Sequence, residues 1–386
     1  MEQKIQEKFE YRMKLFHDEM AHKEAERVPV LSNVWSWKIP DCGYKLSEAV
    51  YDFDILKKTV YEFQEKYNFD AIVDANIRNP LMIARAMGNV NYLIDDEKNA
   101  ITYLDQCIMD TEDYDALIEN PAKYLWTTFM RKKYPGITPE KAKAGIASFG
   151  AFLQYVGEVS GVLAEKYAVP GIQENNTLAA IECLGCGMRG LKNLALDMRR
   201  REAKVLAALE AINEYMKPVQ GLYATAYDGP SKANAIDVGA VFLFHTFLTP
   251  KQFAKTHLPH LNEMIEYAQK YHKSAFLFLE GENSRFYDFF QDFPKHMFSL
   301  YLESDDLFEA KKKIGDNCAL VGGFPTDLLG RGTPEECSEY TKKLIDTLGE
   351  GGGYILTTDK MISYRTDCRP ENLKAVNETA FNYKKG

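Results

Sequence analysis

The chain has 386 residues, of which 46% are apolar and 27% are charged. This composition is sufficient for a large hydrophobic core and excludes an intrinsically disordered chain. The formal net charge of −9 argues against a nucleic-acid-binding protein, because a surface that is acidic overall repels phosphate backbones.

Nothing in the sequence predicts an association with membranes or an export route. No run of 18 or more apolar residues is present, so no transmembrane helix is expected. The charged N-terminal stretch lacks the apolar segment of a signal peptide. The seven cysteines are scattered and odd in number, which does not resemble a disulfide framework. These features predict a cytoplasmic protein.

The first predicted element is an amphipathic helix over residues 1–26. Its apolar side chains recur at spacings of three and four, namely Phe9, Met13, Phe16 and Met20. A helix packed on the body of the protein is favoured over a partner-binding segment.

Short β-rich runs then alternate with helical stretches. Strands are predicted at residues 30–34, 69–73, 222–226, 275–279, 297–302, 318–321 and 354–356, with a hairpin at 90–93 and 101–104. Helical regions are predicted at residues 45–67, 113–216, 241–269 and 334–348, the last with Thr333 as its N-cap. Strands that alternate with helices imply a parallel sheet covered by helices. About eight strands favour a (β/α)₈ TIM barrel with helical insertions, in one domain over residues 1–386, and a doubly wound open sheet is the alternative.

In such a barrel the active site lies at the carboxyl ends of the strands, and Glu280 is the clearest candidate there. It directly follows the predicted strand at 275–279, so its carboxylate is expected in the barrel mouth. This position suits a general acid or, if a metal is bound, a metal ligand. A structural ion pair or a surface position is the alternative.

Three further carboxylates follow predicted strands and are candidate catalytic residues, namely Asp74, Asp228 and Glu303. Glu303 ends the strand next to that of Glu280, and paired carboxylates share a proton or bind a cation. Structural alternatives exist here too. Asp228 lies in a turn sequence, and Glu303 precedes a helix whose N-terminus favours acidic residues.

Five residues near predicted strand ends are candidates for substrate binding. Asn33, Trp35 and Tyr227 would contribute polar and aromatic groups to an apolar pocket. Gly323 and Phe324 follow a strand, where a backbone without a side chain lets a ligand approach closely, although a tight turn explains the glycine equally well.

Other motifs favour structural roles. Cys183 and Cys186 form a CxxC without a second pair for a zinc site, so helix packing is favoured. His245 lies in an apolar stretch, which favours a core residue. No dinucleotide-binding, P-loop, zinc-protease or nucleophile-elbow motif is present.

The C-terminal third carries a family resemblance. The motifs are a glycine-rich turn at Gly322-Gly323, then Leu328-Leu329, Gly332-Thr333-Pro334-Glu335-Glu336, Gly352-Gly353-Tyr354-Ile355-Leu356 and Glu371-Asn372-Leu373. This series resembles the uroporphyrinogen decarboxylase superfamily, and a weaker resemblance extends over most of the chain. It implies a (β/α)₈ barrel and puts the aspartate of the decarboxylases on Asp74.

Departures from the family pattern point to one of its branches. Residues 33–38 contain none of the arginines with which uroporphyrinogen decarboxylases hold propionate groups. Zinc-binding cobalamin-dependent methyltransferases carry a His-x-Cys where this chain has Phe278-Leu279-Glu280, and their later cysteine falls near Asp359-Lys360. The chain therefore resembles the methyltransferases of anaerobic O-demethylase systems.

This resemblance implies transfer of a methyl group from a methoxylated, often aromatic, compound to the cobalt of a separate corrinoid protein. Glu280 would protonate the leaving oxygen, with Glu303 or Asp228 tuning its charge. The cobalamin-binding DxHxxG signature is absent from the sequence, so the corrinoid cofactor is expected on the partner protein. Members of the family are often dimers, so a homodimer is possible for this chain, and its oligomeric state stays open.

Two other functions also stay open. A decarboxylase of a smaller acid would need basic residues in the mouth, for which Arg78, Lys360 and Arg365 are the candidates. A non-catalytic tetrapyrrole-binding protein would need a wide apolar mouth with few carboxylates.

Overall fold

The structure is a computed structural model that describes residues 3–73, 81–104, 106–219 and 227–383. Its strands are β1 (Leu31–Ser32), β2 (Ala71–Ile72), β3 (Tyr92–Asp95), β4 (Ala100–Tyr103), β5 (Gly171–Thr177), β6 (Asn234–Phe242), β7 (Ala275–Leu279), β8 (Phe298–Leu302), β9 (Ala319–Phe324) and β10 (Tyr354–Thr358).

Helices precede, connect and follow these strands. The α-helices are α1 (Gln3–Met20), α2 (Lys38–Asp41), α3 (Leu46–Ala49), α4 (Phe53–Tyr67), α5 (Leu81–Met87), α6 (Asp113–Glu119), α7 (Pro121–Lys123), α8 (Met130–Lys133), α9 (Pro139–Tyr167), α10 (Ala180–Glu182), α11 (Leu191–Arg200), α12 (Glu202–Met216), α13 (Pro250–Thr256), α14 (Leu258–Lys270), α15 (Tyr287–Gln291), α16 (Leu307–Ile314), α17 (Thr326–Arg331), α18 (Pro334–Leu348) and α19 (Pro370–Asn382). Tyr124–Phe129 and Cys183–Arg189 are π-helical, and Lys217–Val219, Phe244–Phe247 and Ser284–Phe286 are 3₁₀ turns.

Eight of the strands are parallel and follow one another around a curled sheet. Strands β5 to β10 pair in chain order. Strands β1 and β2 form a parallel pair, which joins β10 through a bridge between Val30 and Leu356. On the other side, Cα atoms of β2 lie within 8 Å of Cα atoms of β5. Among the described residues the pairing is open between β2 and β5, so the structure confirms a parallel α/β sheet curled towards a barrel, and its complete closure stays a prediction.

The predicted hairpin of β3 and β4 is also present, as an antiparallel pair. It contacts the segment that follows β10. Asn99 Nδ2 donates a hydrogen bond to the backbone oxygen of Ser363 at 2.7 Å, and Arg365 Nε donates to the backbone oxygen of Glu97 at 3.0 Å. The hairpin therefore lies at the carboxyl end of the sheet, where a parallel α/β fold places its functional site.

Side chains along the strands alternate between two cores. Phe276 and Phe278 of β7 share one buried cluster with Tyr301 of β8, whereas Leu277 and Leu279 of β7 belong to the cluster that includes the surrounding helices. This alternation follows from the two-residue repeat of a strand. The rings of Phe278 and Tyr301 stack with their centroids 4.0 Å apart, so the interior is packed with side chains.

Helix α1 covers the amino end of the curled sheet. Its apolar face belongs to the same buried cluster as Ala235 and Ala319, which lie at the starts of β6 and β9. The members of that face are Phe9, Met13, Phe16 and Met20. At the first residue of β10, the backbone nitrogen of Tyr354 donates a hydrogen bond to Glu19 Oε2 at 3.0 Å. The predicted N-terminal helix is thus confirmed as a packed element of the body.

A buried ion-pair network fixes α1 and the segment after it to the start of β2. The carboxylate of Asp70 accepts hydrogen bonds from Arg12 Nε at 3.2 Å, from Arg27 Nη1 at 2.6 Å and Nη2 at 2.8 Å, and from the backbone nitrogen of Val30 at 2.9 Å. The side chains of Asp70 and Arg12 are 0% and 2% exposed. Because both charges are out of water, each depends on the other for compensation.

In the described part of the chain, one helix, α9, is long and apolar enough to cross a membrane, judged by length and composition alone. Of its most apolar stretch, 17% is buried. The sequence, which has no run of 18 or more apolar residues, predicts no such segment. One helix of this kind is weak evidence, because core helices of soluble proteins meet the same criteria.

Two strands were not predicted. Strand β5 lies within the region 113–216 that is predicted to be helical. Strand β6 begins after the strand predicted at 222–226 and overlaps the first two residues of the helix predicted at 241–269. Residues 222–226 lie outside the described residues. The next described strand, β6, begins at Asn234. Because β6 ends at Phe242 and follows Tyr227 and Asp228, these two residues are not at the carboxyl end of a described strand.

Candidate functional site

Glu280 directly follows β7 at the carboxyl end of the sheet, as predicted. Its backbone nitrogen donates a hydrogen bond to the oxygen of Phe242, the last residue of β6, at 3.0 Å. The backbone nitrogen of Glu303 donates to the oxygen of Leu279 at 3.2 Å. The side chains of Glu280 and Glu303 are both half-buried. The two carboxylates therefore stand on adjacent strand ends.

Glu303 holds the loop that carries Glu280. Its Oε2 accepts a hydrogen bond from the backbone nitrogen of Gly281 at 2.7 Å. Gly281 has a φ of +72°, and a Cβ at this position would approach Thr246 Cγ2 to 2.6 Å. The turn therefore requires glycine, and the hydrogen bond from Gly281 fixes the backbone next to Glu280.

Asn283 holds the other side of the same loop. Its Nδ2 donates to the backbone oxygen of Gly281 at 2.9 Å and to Asp305 Oδ2 at 2.9 Å. Tyr287 donates its hydroxyl to Asp305 Oδ1 at 2.7 Å, and burial raises the pKa of Asp305 above its ordinary value. His245 Nε2 lies 2.6 Å from Asn283 Oδ1. Because these groups are hydrogen-bonded to one another, they give the Glu280 loop a fixed geometry.

A buried group of histidines lies behind this loop. His257 Nε2 contacts Glu182 Oε1 at 3.0 Å, and His260 Nε2 contacts Thr177 Oγ1 at 2.9 Å. Burial lowers the pKa of His245 and of His260 to about 4. Burial would raise the pKa of Glu182, but hydrogen bonds from His257 and the backbone outweigh it, and the pKa lies below its ordinary value. His245 is thus a core residue, as the sequence predicted.

These histidines predict that the protein loses stability in mild acid. His260 has an ordinary pKa of 6.5 when unfolded and about 4 when folded, so the unfolded chain binds more protons between these values. The free energy of unfolding should therefore be fully retained above pH 6.5 and fall as the pH is lowered towards 4. Urea denaturation between pH 7 and pH 4 should show a shallower decline for His260→Gln than for the wild type. The exposed His272→Asn serves as control, and an unchanged slope in His260→Gln would contradict the assignment.

A cavity of about 570 Å³ opens next to the Glu280 loop. Its apolar and aromatic lining comes from Leu81, Tyr103, Leu104, Ile108, Tyr134, Leu191 and Leu243. Cys186 also lines it, and desolvation together with the carboxylates of Glu182 and Glu280 raises the pKa of this thiol to about 12. Leu243 follows Phe242, to which Glu280 is hydrogen-bonded. Glu280 is not itself a lining residue, but it lies close to Cys186 and Leu243, which are.

The cavity was not predicted, because its lining comes from separate parts of the chain. Tyr103 belongs to the hairpin, Tyr134 follows α8, and Cys186 lies in a π-helical turn. The CxxC was predicted to pack against a helix. Cys183 does contact Met216 at 3.5 Å, whereas Cys186 borders the cavity.

Asn33 lies at the carboxyl end of β1, within the sheet. Its Nδ2 donates to the hydroxyl of Tyr301 at 3.0 Å, and Tyr301 donates to the backbone oxygen of Asp359 at 2.7 Å. Burial raises the pKa of Tyr301 well above its ordinary value. Among the described residues, the buried Asn33 Oδ1 has no hydrogen-bond partner. Asn33 thus links strand ends across the sheet, and its role in substrate binding stays a prediction.

Asp228 and Tyr227 do not reach the site, which corrects the expectation that they line the mouth. Both precede β6, and the backbone nitrogen of Gly229 donates to the oxygen of Tyr271 just before β7. They therefore lie at the amino end of the sheet, opposite Glu280. The side chain of Asp228 is 74% exposed and pairs with His272 at 2.7 Å.

Trp35 and Phe324 are buried core residues, and their roles in substrate binding stay predictions. Trp35 packs in a buried cluster with residues of α2, α3 and α4, and Phe324 contacts Tyr340 of α18 edge-on at 5.7 Å between centroids. Gly323 has a φ of +89°, and a Cβ there would lie 3.1 Å from Leu307 Cδ2. The glycine is thus explained by backbone conformation and close packing. Asp74 lies outside the described residues.

No group of three or more His, Cys, Asp and Glu side chains within the described ranges has an arrangement that could hold a metal ion. At the position of the zinc-binding histidine stands Phe278, whose ring stacks on Tyr301 and offers no ligand atom. The donor set therefore does not fit a zinc–thiolate centre. A metal ion at Glu280 stays a prediction.

Comparisons with known proteins agree with this architecture. Residues 155–383 match the sequence profile of a family described as uroporphyrinogen decarboxylase (URO-D). A solved structure, the methyltransferase from Methanosarcina mazei, is similar with a TM-score of 0.64 and 14% identity, over 96% of this chain and 98% of that chain. At this identity the likeness shows a shared fold. No curated protein sequence matches the chain significantly. Because the profile match spans more than half of its length, the chain belongs to the uroporphyrinogen decarboxylase (URO-D) family.

Proposed function

We propose that the protein is an enzyme that transfers a methyl group from a methoxylated aromatic compound to the cobalt of a separate corrinoid protein. Membership of an enzyme family and the fold shared with a methyltransferase support methyl transfer as the reaction class. The proposal includes a closed (β/α)₈ barrel whose mouth holds the substrate.

The observation that carries the proposal is the position of Glu280 beside the cavity. The volume of about 570 Å³ lies within the range of about 300–1,000 Å³ that is usual for small-molecule sites. The lining is mostly apolar and aromatic, which suits a planar ring. Glu280 lies close to the lining residue Cys186, on a loop that Glu303 and Asn283 hold in place.

Glu280 would supply the proton that the reaction consumes. Cobalt in its Co(I) state, carried by the partner protein, donates an electron pair to the methyl carbon, and the bond between carbon and oxygen breaks. The electron pair of that bond stays on the oxygen, which would leave as a poor phenoxide. A proton from the carboxyl group of Glu280 gives the neutral phenol instead and lowers the barrier.

Anaerobic incubation of the purified protein with cob(I)alamin and a panel of methoxylated aromatic compounds tests this function. The expected result is the visible spectrum of methylcobalamin together with release of one phenol per methyl group. If free cobalamin does not react, a separately purified corrinoid protein replaces it as the methyl acceptor. If no methyl group is transferred to either acceptor, the proposal is contradicted. Release of carbon dioxide from a carboxylated substrate would establish a decarboxylase in its place.

A further inference from the structure

Lys133 lines the same cavity and has an unusual environment. It is the last residue of α8 and is half-buried. Burial lowers the pKa of its ammonium group below the ordinary value. Within the part of the chain that the structure describes, its Nζ makes no ion pair with a carboxylate and no hydrogen bond, whereas the adjacent Lys132 pairs with Asp110 and Asp113.

The immediate neighbours of the Lys133 ammonium are aromatic. Nζ lies 5.7 Å from the ring centroids of Phe129 and of Tyr134. Burial also raises the pKa of the Tyr134 hydroxyl, which therefore stays a neutral hydrogen-bond donor. Asn89 Nδ2 donates to the backbone oxygen of Lys133 at 2.5 Å and to Gln106 Oε1 at 3.2 Å. These contacts tie the end of α8 to the cavity wall.

A partly desolvated cation in a cavity whose other lining residues are uncharged costs free energy unless an anion compensates it. Its aromatic neighbours compensate a part of this cost. A carboxylate on a bound ligand would compensate the rest, through a charge-assisted hydrogen bond. The chain as a whole carries a net charge of −9, so an anionic ligand needs such a local cation to enter.

We infer that the cavity takes aromatic carboxylates, with the ring against Tyr134 and the carboxylate on Lys133. This inference rests on the proposed aromatic substrate and narrows it to methoxylated aromatic acids. The methoxy group would then lie at the side of the cavity that Cys186 borders, close to Glu280.

Binding without any corrinoid tests the inference independently of methyl transfer. Titration calorimetry would compare 4-methoxybenzoate with methoxybenzene, which has the same ring and ether but no carboxylate. We expect the wild type to bind the acid more tightly by about tenfold to a hundredfold, as for a hydrogen bond to a charged group. Lys133→Met should remove this preference and leave the affinity for methoxybenzene unchanged.

The control is Arg131→Met, which removes a positive charge from the same helix at an exposed position outside the cavity and should keep the preference. Lys133→Gln replaces the methionine variant if that variant does not fold. Equal binding of both compounds by the wild type, no binding of either, or a preference that survives in the Lys133 variants would overturn the inference. Binding of the acid with the expected preference but without methyl transfer would leave the inference standing and contradict the proposed function.

Discussion

Glu280→Gln should reduce the rate of methyl transfer by roughly 100- to 10,000-fold, which is the usual contribution of a positioned general acid. The amide has nearly the same shape as the carboxyl group but cannot release a proton to the leaving oxygen. The loop should keep its conformation, because Glu303 and Asn283 hold Gly281 through its backbone. Single-turnover formation of methylcobalamin, with phenol release measured in parallel, is the appropriate assay.

Glu282→Gln provides a matched control for this variant. Glu282 lies two residues further along the same loop but is exposed, so its substitution should change the rate little. Substrate affinity should also be similar in both variants, since the proton is needed only as the bond to oxygen breaks. Full activity of Glu280→Gln would remove Glu280 from the mechanism and leave its position in the mouth without a catalytic role.

Asp70→Asn should lower the free energy of unfolding by about 3–5 kcal/mol, the usual cost of breaking a buried ion pair from one side. The neutral amide leaves Arg12 buried without its counter-charge. It also presents an NH₂ group to the two guanidinium groups where they now donate to carboxylate oxygens. Urea denaturation measures the change, and limited proteolysis should show earlier cleavage in the segment after α1.

The same substitution at an exposed ion pair is the control for Asp70→Asn. The carboxylate of Asp327 pairs with Arg331 at 3.2 Å, and both side chains are largely exposed. Asp327→Asn should therefore change the free energy of unfolding by about 1 kcal/mol or less. If Asp70→Asn were as mild as Asp327→Asn, the network at the amino end of the sheet would not be what anchors α1.

The strands of the C-terminal half were predictable because their sequences are apolar runs between turn residues. The predicted strand at 275–279 has the bounds that the structure gives to β7, and α18 begins after Thr333 in a capping box with Glu336. Strand β5 gave no such signal, since its sequence GIQENNT is mostly polar. The start of β6 contains Asp237, whose buried carboxylate accepts a hydrogen bond from the backbone nitrogen of Ser231 at 2.6 Å. Tertiary contacts therefore determine these two strands more than local propensity does.

The same distinction applies to the candidate site. Glu280 and Glu303 could be located from the sequence, because the end of an apolar parallel strand points to the mouth of a barrel. Asp228 could not be judged correctly without the true position of β6. Lys133 gave no signal at all, since a lysine at the end of a short helix is usually a solvated charge. Only the fold brings it into one cavity with Cys186.

The position of α1 has a consequence for folding during synthesis on the ribosome. This helix is synthesised before the strands on which it packs, and its partner Tyr354 follows Glu19 by 335 residues. At about 5–20 residues per second, the ribosome needs roughly half a minute between the two. During that time the apolar face of α1 lacks its final partners on β9 and β10, and contacts of such long sequence separation also form slowly. We therefore expect the nascent chain to depend on chaperones, and a chain cut short before β10 to leave its first helix unanchored.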